Sequence, residues 1–187
     1  MVKKIKTCVF ISGSGTNLKS LIKNSRDYNF PIKIALIISN NINADGLKYA
    51  RKYNIPYKVF KYKSKIIFEK SCLLELKKRK IKFICLAGFM KVLSKKFIEN
   101  FGHKIFNIHP SLLPKFKGLN THGRVLKSGE KFTGCTVHLV TSKLDSGKII
   151  LQKKISVYNS DTEKSLKARV LKQEHKLYTK AIRFAFG

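Results

Sequence analysis

Three residues in this chain have the types and spacing to do chemistry at a carbonyl. Asn107 and His109 stand two apart at the end of the run Lys104-Ile105-Phe106-Asn107-Ile108-His109, and Asp145 follows in Leu144-Asp145-Ser146-Gly147. On a strand, residues two apart point to the same face, so the carboxamide and the imidazole lie side by side. Pro110 has no backbone N–H to offer and helps to stop the strand there. A carboxamide N–H can donate to a developing oxyanion while an imidazole moves or polarises a proton. Asp145 can orient that imidazole or relay the proton. Asn and His also serve as hydrogen-bonding residues at strand ends, so spacing alone is compatible with a purely structural role.

A second candidate is Ile11-Ser12-Gly13-Ser14-Gly15-Thr16-Asn17, where an apolar run meets a helix-like segment. Glycines let the chain turn tightly and present backbone N–H groups at a helix N-terminus to an anion. Leu18 stands where a GxGxxG fingerprint needs its third glycine, and the P-loop Gly-Lys-Ser/Thr is missing. An ordinary tight turn and a phosphate loop both fit. Phe89-Met90-Lys91-Val92-Leu93 reads as core edge leading into a helix. Gln173-Glu174-His175, on its own, is a solvated helical face. Lys65 has many equivalents on so lysine-rich a chain.

The elements that would position these groups alternate between β-rich and helical patterns, the mark of an open α/β sheet. Strands are predicted at 7–11, 32–38, 56–60, 82–87 and 104–107, with helices at 17–26, 44–53, 64–80 and from Ser94. A short helix over 122–128 follows the proline-rich loop. Strands at 134–140 and 148–154 are joined as a hairpin, and a last helix opens at Asp161-Thr162-Glu163 and ends near Phe186. The continuous apolar run at 82–87 suits a central strand buried on both faces. With 187 residues and neither repeat nor linker, one domain spanning 1–187 is expected. The basic start Met1-Val2-Lys3-Lys4 begins as a signal peptide would, but the apolar stretch 8–11 is short and reads better as a strand.

The net charge of +30 would ordinarily point to nucleic acid or an anionic membrane. Only six of the 40 basic residues are arginine, and the lysines are scattered rather than clustered. Abundant Lys, Ile, Asn, Phe and Tyr with no Trp fits drift toward AT-rich codons, which needs no polyanionic partner. No apolar run approaches the roughly 20 residues of a membrane span. The cysteines at 8, 72, 85 and 135 lack metal-ligand spacing and sit in apolar runs, as buried reduced thiols do.

Taken together with Leu86-Ala87-Gly88-Phe89-Met90, Pro110-Ser111-Leu112-Leu113-Pro114, Gly134-Cys135-Thr136-Val137-His138 and Lys172-Gln173-Glu174-His175, these motifs resemble, in order and over nearly the whole chain, those of the folate-dependent formyltransferases. The resemblance is strongest to the branch that formylates glycinamide ribonucleotide in purine synthesis. It implies an open, mostly parallel Rossmann-like sheet flanked by helices, and a cytoplasmic enzyme acting as monomer or homodimer. The formyl group would come from 10-formyltetrahydrofolate as co-substrate, with no metal, no specific nucleic acid and no membrane involved. Asn107, His109 and Asp145 would be catalytic. Gly13, Ser14, Gly15, Thr16 and Asn17 would hold the 5′-phosphate. Leu171, Lys172, Gln173 and Glu174 would border the ribonucleotide, Glu174 accepting from the ribose hydroxyls. Lys65, Met90, Lys91, Val92, Leu93 and Asn107 would line the folate site, the pterin being read largely by main chain. Lys65 and Lys91 stand where relatives often carry arginine, a point charge replacing a bidentate fork. His138 would support the site, His122 would face the loop around the cleft, and His103 would lie on the surface.

Overall fold

The computed structural model describes residues 4–187, so Met1-Val2-Lys3 of the basic start lie outside the described residues. Seven strands form one sheet in the order β3-β2-β1-β4-β5-β6-β7. Strands β1 (Ile5–Ile11), β2 (Ile32–Ser39), β3 (Tyr57–Val59), β4 (Phe83–Leu86) and β5 (Ile105–His109) run parallel. Strands β6 (Phe132–Leu139) and β7 (Ile149–Ser156) add an antiparallel hairpin beside β5.

Helices cover both faces. On one, α1 (Thr16–Ser25), α2 (Leu47–Lys52), α5 (Thr121–Lys127) and α6 (Glu163–Phe186) pack with Val9, Ile11, Cys85, Phe106 and Val137. On the other, α3 (Lys65–Lys78) and α4 (Lys95–Phe101) pack with Cys8, Phe10, Ile84, Leu86 and Ile105. The alternation is the period-2 rule at work, and β4 is buried at all four positions because both its faces are covered. All four cysteines are buried and free. Burial pushes the thiols up, Cys135 to about 12. No helix among the described residues is long and apolar enough to cross a membrane.

Local signals set the ends of the helices. The Ser64 and Ser94 hydroxyls accept from the N–H of Ile67 and Phe97, starting α3 and α4. Thr162 and Ser165 form a reciprocal capping box on α6, where Asp161 also pairs with Arg169. Two of the boundaries that differ from expectation bear on the site. Helix α2 begins at Leu47 rather than Ala44, because residues 41–46 turn so that the Gly46 N–H reaches the Gly13 carbonyl at 2.9 Å. Strand β5 continues to His109 rather than stopping at Asn107, because β6 pairs with it as far as His109↔Thr136.

Chain direction reverses its lateral course on either side of β1, which has β2 on one flank and β4 on the other. Such switch points open a crevice beyond the carboxyl ends of the strands, and the loops after β1 and β4 both leave there.

Candidate active site

Asn107 on β5 pairs directly with His138 on β6, so their side chains share one sheet face. It is the face of Ile105, which α3 and α4 cover elsewhere. The loop after β6 returns across this face and brings Asp145 to the pair. The Asp145 backbone is left-handed, φ 45°, a conformation that Asp tolerates better than most residues. Gly147 is required nearby: a Cβ there would stand 1.8 Å from the Leu139 carbonyl oxygen.

The carboxylate then gathers the polar groups around it. Asp145 Oδ2 lies 3.3 Å from His109 Nδ1 and accepts from the Gly118 N–H at 2.9 Å. Its Oδ1 lies 3.5 Å from both Asn107 Nδ2 and His138 Nε2. Burial raises the Asp145 carboxyl, but contact with His138, the Gly118 N–H and, when the ring is protonated, the charge of His109 outweigh it and hold the group below its usual range. It is a carboxylate at neutral pH.

The hydrogen-bond partners fix the ring tautomers. His109 Nε2 is 2.8 Å from the Phe116 carbonyl, which can only accept, so Nε2 carries hydrogen. In the neutral ring the Nδ1 lone pair then faces a carboxylate oxygen, and the pair is one proton short of full satisfaction. Burial pushes the His109 imidazole down, with the Phe116 carbonyl and Asp145 opposing it. His138 Nδ1 donates to the Leu139 carbonyl at 2.8 Å, leaving Nε2 to accept from Asn107 Nδ2 at 3.2 Å. The Asn107 amide must turn its nitrogen to this cluster, since its oxygen would repel Asp145.

A cleft opens beside this cluster. Its walls are apolar (Leu86, Phe89, Val92, Leu93, Val140, Leu144), Asn107, His138 and Asp145 stand at the polar end, and Lys91, Thr141 and Lys143 complete it. The ammonium of Lys91 sits 4.6 Å from the Tyr62 ring centroid. Such a slot suits a flat heteroaromatic group with acceptors at one end and an anionic tail near the lysines. His109 does not line it; buried, it meets the Phe116 carbonyl through one ring nitrogen and Asp145 through the other. Lys65, the first residue of α3, and Met90, 60% exposed, are not among the lining residues either.

The glycine loop forms a second region. Gly15 is left-handed, φ 68°, and a Cβ on it would meet Gly46 Cα at 2.5 Å. By contrast, a Cβ on Gly13 would meet nothing within 4 Å. Gly15 is therefore fixed by packing, while Gly13 and the exposed Ser14 border open space. No side chain caps the first turn of α1, so its N–H groups remain available to an anion. Asn17 Nδ2 donates to Glu174 Oε2 on α6 at 2.6 Å, and Asn17 Oδ1 is buried without a partner among the described residues. Burial raises the Glu174 carboxyl, against the Asn17 hydrogen bond. Leu171 flanks Glu174 half-buried, whereas Lys172 and Gln173 line a separate hollow with Ile155, Ser156, Tyr158 and Arg169.

Ser12 joins the two regions. Its Oγ accepts from the Met90 N–H at 2.8 Å and donates to Asn40 Oδ1 at 2.6 Å, tying the ends of β1, β4 and β2 together. In the sequence Ser12 is read only as part of the loop motif, with no role of its own, and Gly46 is not singled out. His138 was expected only as support, and the register shows it in the cluster itself. His122 is buried on α5 with Nδ1 unpartnered among the described residues, and His103 is exposed. No group of three or more His, Cys, Asp or Glu among the described residues has the arrangement of a metal site.

A family model described as formyl transferase matches residues 5–182. The chain is 39% identical to the phosphoribosylglycinamide formyltransferase of Haemophilus influenzae, over 96% of this chain and 86% of that protein. It is 42% identical to the human trifunctional purine biosynthetic protein adenosine-3 over 96% of this chain, spanning only 18% of that protein's length. The crystal structure of the Brucella melitensis phosphoribosylglycinamide formyltransferase superposes with a TM-score of 0.92 at 44% identity, covering 99% of this chain and 97% of that one.

Proposed function

Because the chain belongs to the formyl transferase family, we propose that it moves the formyl group of 10-formyltetrahydrofolate to the amine of glycinamide ribonucleotide, a step of purine synthesis. The observation that carries this is Asp145, a carboxylate held low, in contact with Asn107, His138 and His109 and lining a largely apolar cleft.

The folate occupies that cleft, its pterin against Leu86, Phe89, Val92 and Leu93 and its carboxylates near Lys91, with Lys65 and Met90 at its outer margin. The ribonucleotide lies over the glycine loop, its phosphate on the N–H groups of residues 13–17 and its ribose near Glu174. Leu171, Lys172 and Gln173 support the α6 edge of that subsite. The neutral amine attacks the formyl carbon and a tetrahedral intermediate forms. The Asn107 N–H that reaches Asp145 across a long 3.5 Å can turn to the developing oxyanion. Asp145 takes the proton of the attacking ammonium, and His109 Nδ1 behind it shares that proton, completing the pair that was one proton short. The oxyanion then collapses, breaking the bond to the folate nitrogen, and Asp145 returns its proton to that nitrogen as it leaves. No metal and no covalent enzyme intermediate enter these steps. All of this sits in one catalytic domain, cytoplasmic, as monomer or homodimer.

Titration calorimetry tests the substrate pair. Glycinamide ribonucleotide and an unreactive 10-substituted folate should each bind at one equivalent, and neither should exclude the other. Binding of the folate with no binding of the ribonucleotide would sink the acceptor assignment.

A further inference from the structure

Segment 111–118 governs two of the groups assigned to the chemistry, since the Phe116 carbonyl holds His109 and the Gly118 N–H holds Asp145. Phe116 itself is left-handed, φ 54°, so something must hold it in that conformation. The anchor lies on β6 and β7. Thr136 is fully buried; its Oγ1 accepts from the Leu113 N–H at 3.1 Å and donates to the Ser111 carbonyl at 2.6 Å. Gln152, opposite Thr136 in the hairpin, donates Nε2 to the Leu113 carbonyl at 2.8 Å and to Thr136 Oγ1 at 2.9 Å. Ser111 Oγ closes the segment on the Lys115 carbonyl at 2.6 Å. Leu112 packs over Gly134, where a Cβ would stand 2.8 Å from its Cδ2.

We propose that Thr136 and Gln152 are positioning residues for the reaction: their clamp on Ser111 and Leu113 sets the Phe116 carbonyl on His109 Nε2 and so keeps Nδ1 turned to Asp145. Thr136 stands next to His109 across β5–β6, so strand and segment grip the imidazole from two sides. When the clamp loosens, the carbonyl no longer holds hydrogen on Nε2. The neutral ring then moves its proton to Nδ1, toward the carboxylate, and a proton that Asp145 takes from the attacking amine can no longer be shared with that nitrogen. The clamp touches neither the glycine loop nor Glu174, so ribonucleotide affinity is left alone.

The proposal rests on the assignment of His109 and Asp145 to the chemistry, and its test separates the two. Thr136→Val removes the hydroxyl at nearly constant volume, Thr136→Ser keeps it, and Gln152→Leu cuts the clamp from the exposed edge strand, where folding is least at risk. Nitrogen-15 NMR of His109 reports the ring with no need for turnover. Misplacement of a catalytic group of this kind costs about 10- to 100-fold in kcat. Val and Leu variants should show that loss with the ribonucleotide KM unchanged and the neutral His109 signal moved from the Nε2–H toward the Nδ1–H form. Thr136→Ser should restore both. Wild-type ring signals with kcat unchanged or raised, even with a lower melting temperature, overturn the clamp as a positioning device. If Thr136→Val does not fold, Gln152→Leu decides alone. A wild-type chain that transfers no formyl group contradicts the functional assignment, and the ring signals still decide whether the clamp orients His109.

Discussion

The Asp145 cluster and the glycine loop are built by opposite means. In the cluster, side chains from β5, β6 and the 140–148 loop converge, and partially satisfied polar groups decide which proton sits where. In the loop the deciding feature is missing side chain: Gly15 approaches Gly46 so closely that only two glycines fit, and backbone N–H groups do the presenting. The first arrangement moves charge during a reaction. The second holds fixed charge before and after it. The two should fail differently, one in kcat and the other in KM.

The largest effect expected is at the carboxylate. Asp145→Asn keeps the shape and removes the proton acceptor, so kcat should fall by about 10²- to 10⁴-fold with ribonucleotide binding retained. Steady-state kinetics read beside calorimetry check this, and turnover within a few-fold of wild type would remove Asp145 from proton transfer.

Gly15→Ala reverses the pattern. The methyl meets Gly46 Cα and a left-handed backbone, the latter alone costing about 1–2 kcal/mol. The loop must shift, and the ribonucleotide KM should rise about tenfold with kcat much less affected, as 1.4 kcal/mol of lost binding corresponds to tenfold. Equal losses in both constants would show that the two regions are not separable.

Glu174→Gln gives the smallest and most diagnostic change. Losing the charge but not the acceptor should raise the ribonucleotide KM roughly fivefold, since a net hydrogen bond contributes about 1 kcal/mol. Its pH signature follows from the raised carboxyl of Glu174. The folded chain holds this proton where the unfolded chain, near the ordinary value of about 4.3, has released it. The contribution to stability is therefore full below the unfolded pKa and is lost as pH rises through the folded one. Denaturant melts should show the glutamine variant gaining most on wild type at neutral pH, the difference closing as the pH is lowered toward 4. A difference independent of pH would mean that burial does not perturb Glu174.

Much of this was legible in the sequence because it is local. Apolar runs of four to eight residues gave the strands, serine and threonine caps gave α3, α4 and α6, and Asn107, His109 and Asp145 stood out by type. What stayed hidden depends on register or on long-range approach. His138 joins the cluster because it falls opposite Asn107, and no local pattern fixes that pairing. Gln152 reads as one polar residue among lysines until the hairpin sets it beside Thr136 and Leu113. The late start of α2 reflects the Gly46–Gly13 contact, which spans more than 30 residues. That Asp145 could orient the His109 imidazole was legible, but not that the Phe116 carbonyl, seven residues on, would hold the other ring nitrogen.

Formyl transfer itself is the most direct test. Release of deformylated folate from 10-formyltetrahydrofolate is followed with and without glycinamide ribonucleotide. Release that requires the ribonucleotide is the predicted result. Release at the same rate without it would make water the acceptor and the chain a hydrolase, contradicting the assignment of the glycine loop and Glu174 to a ribonucleotide.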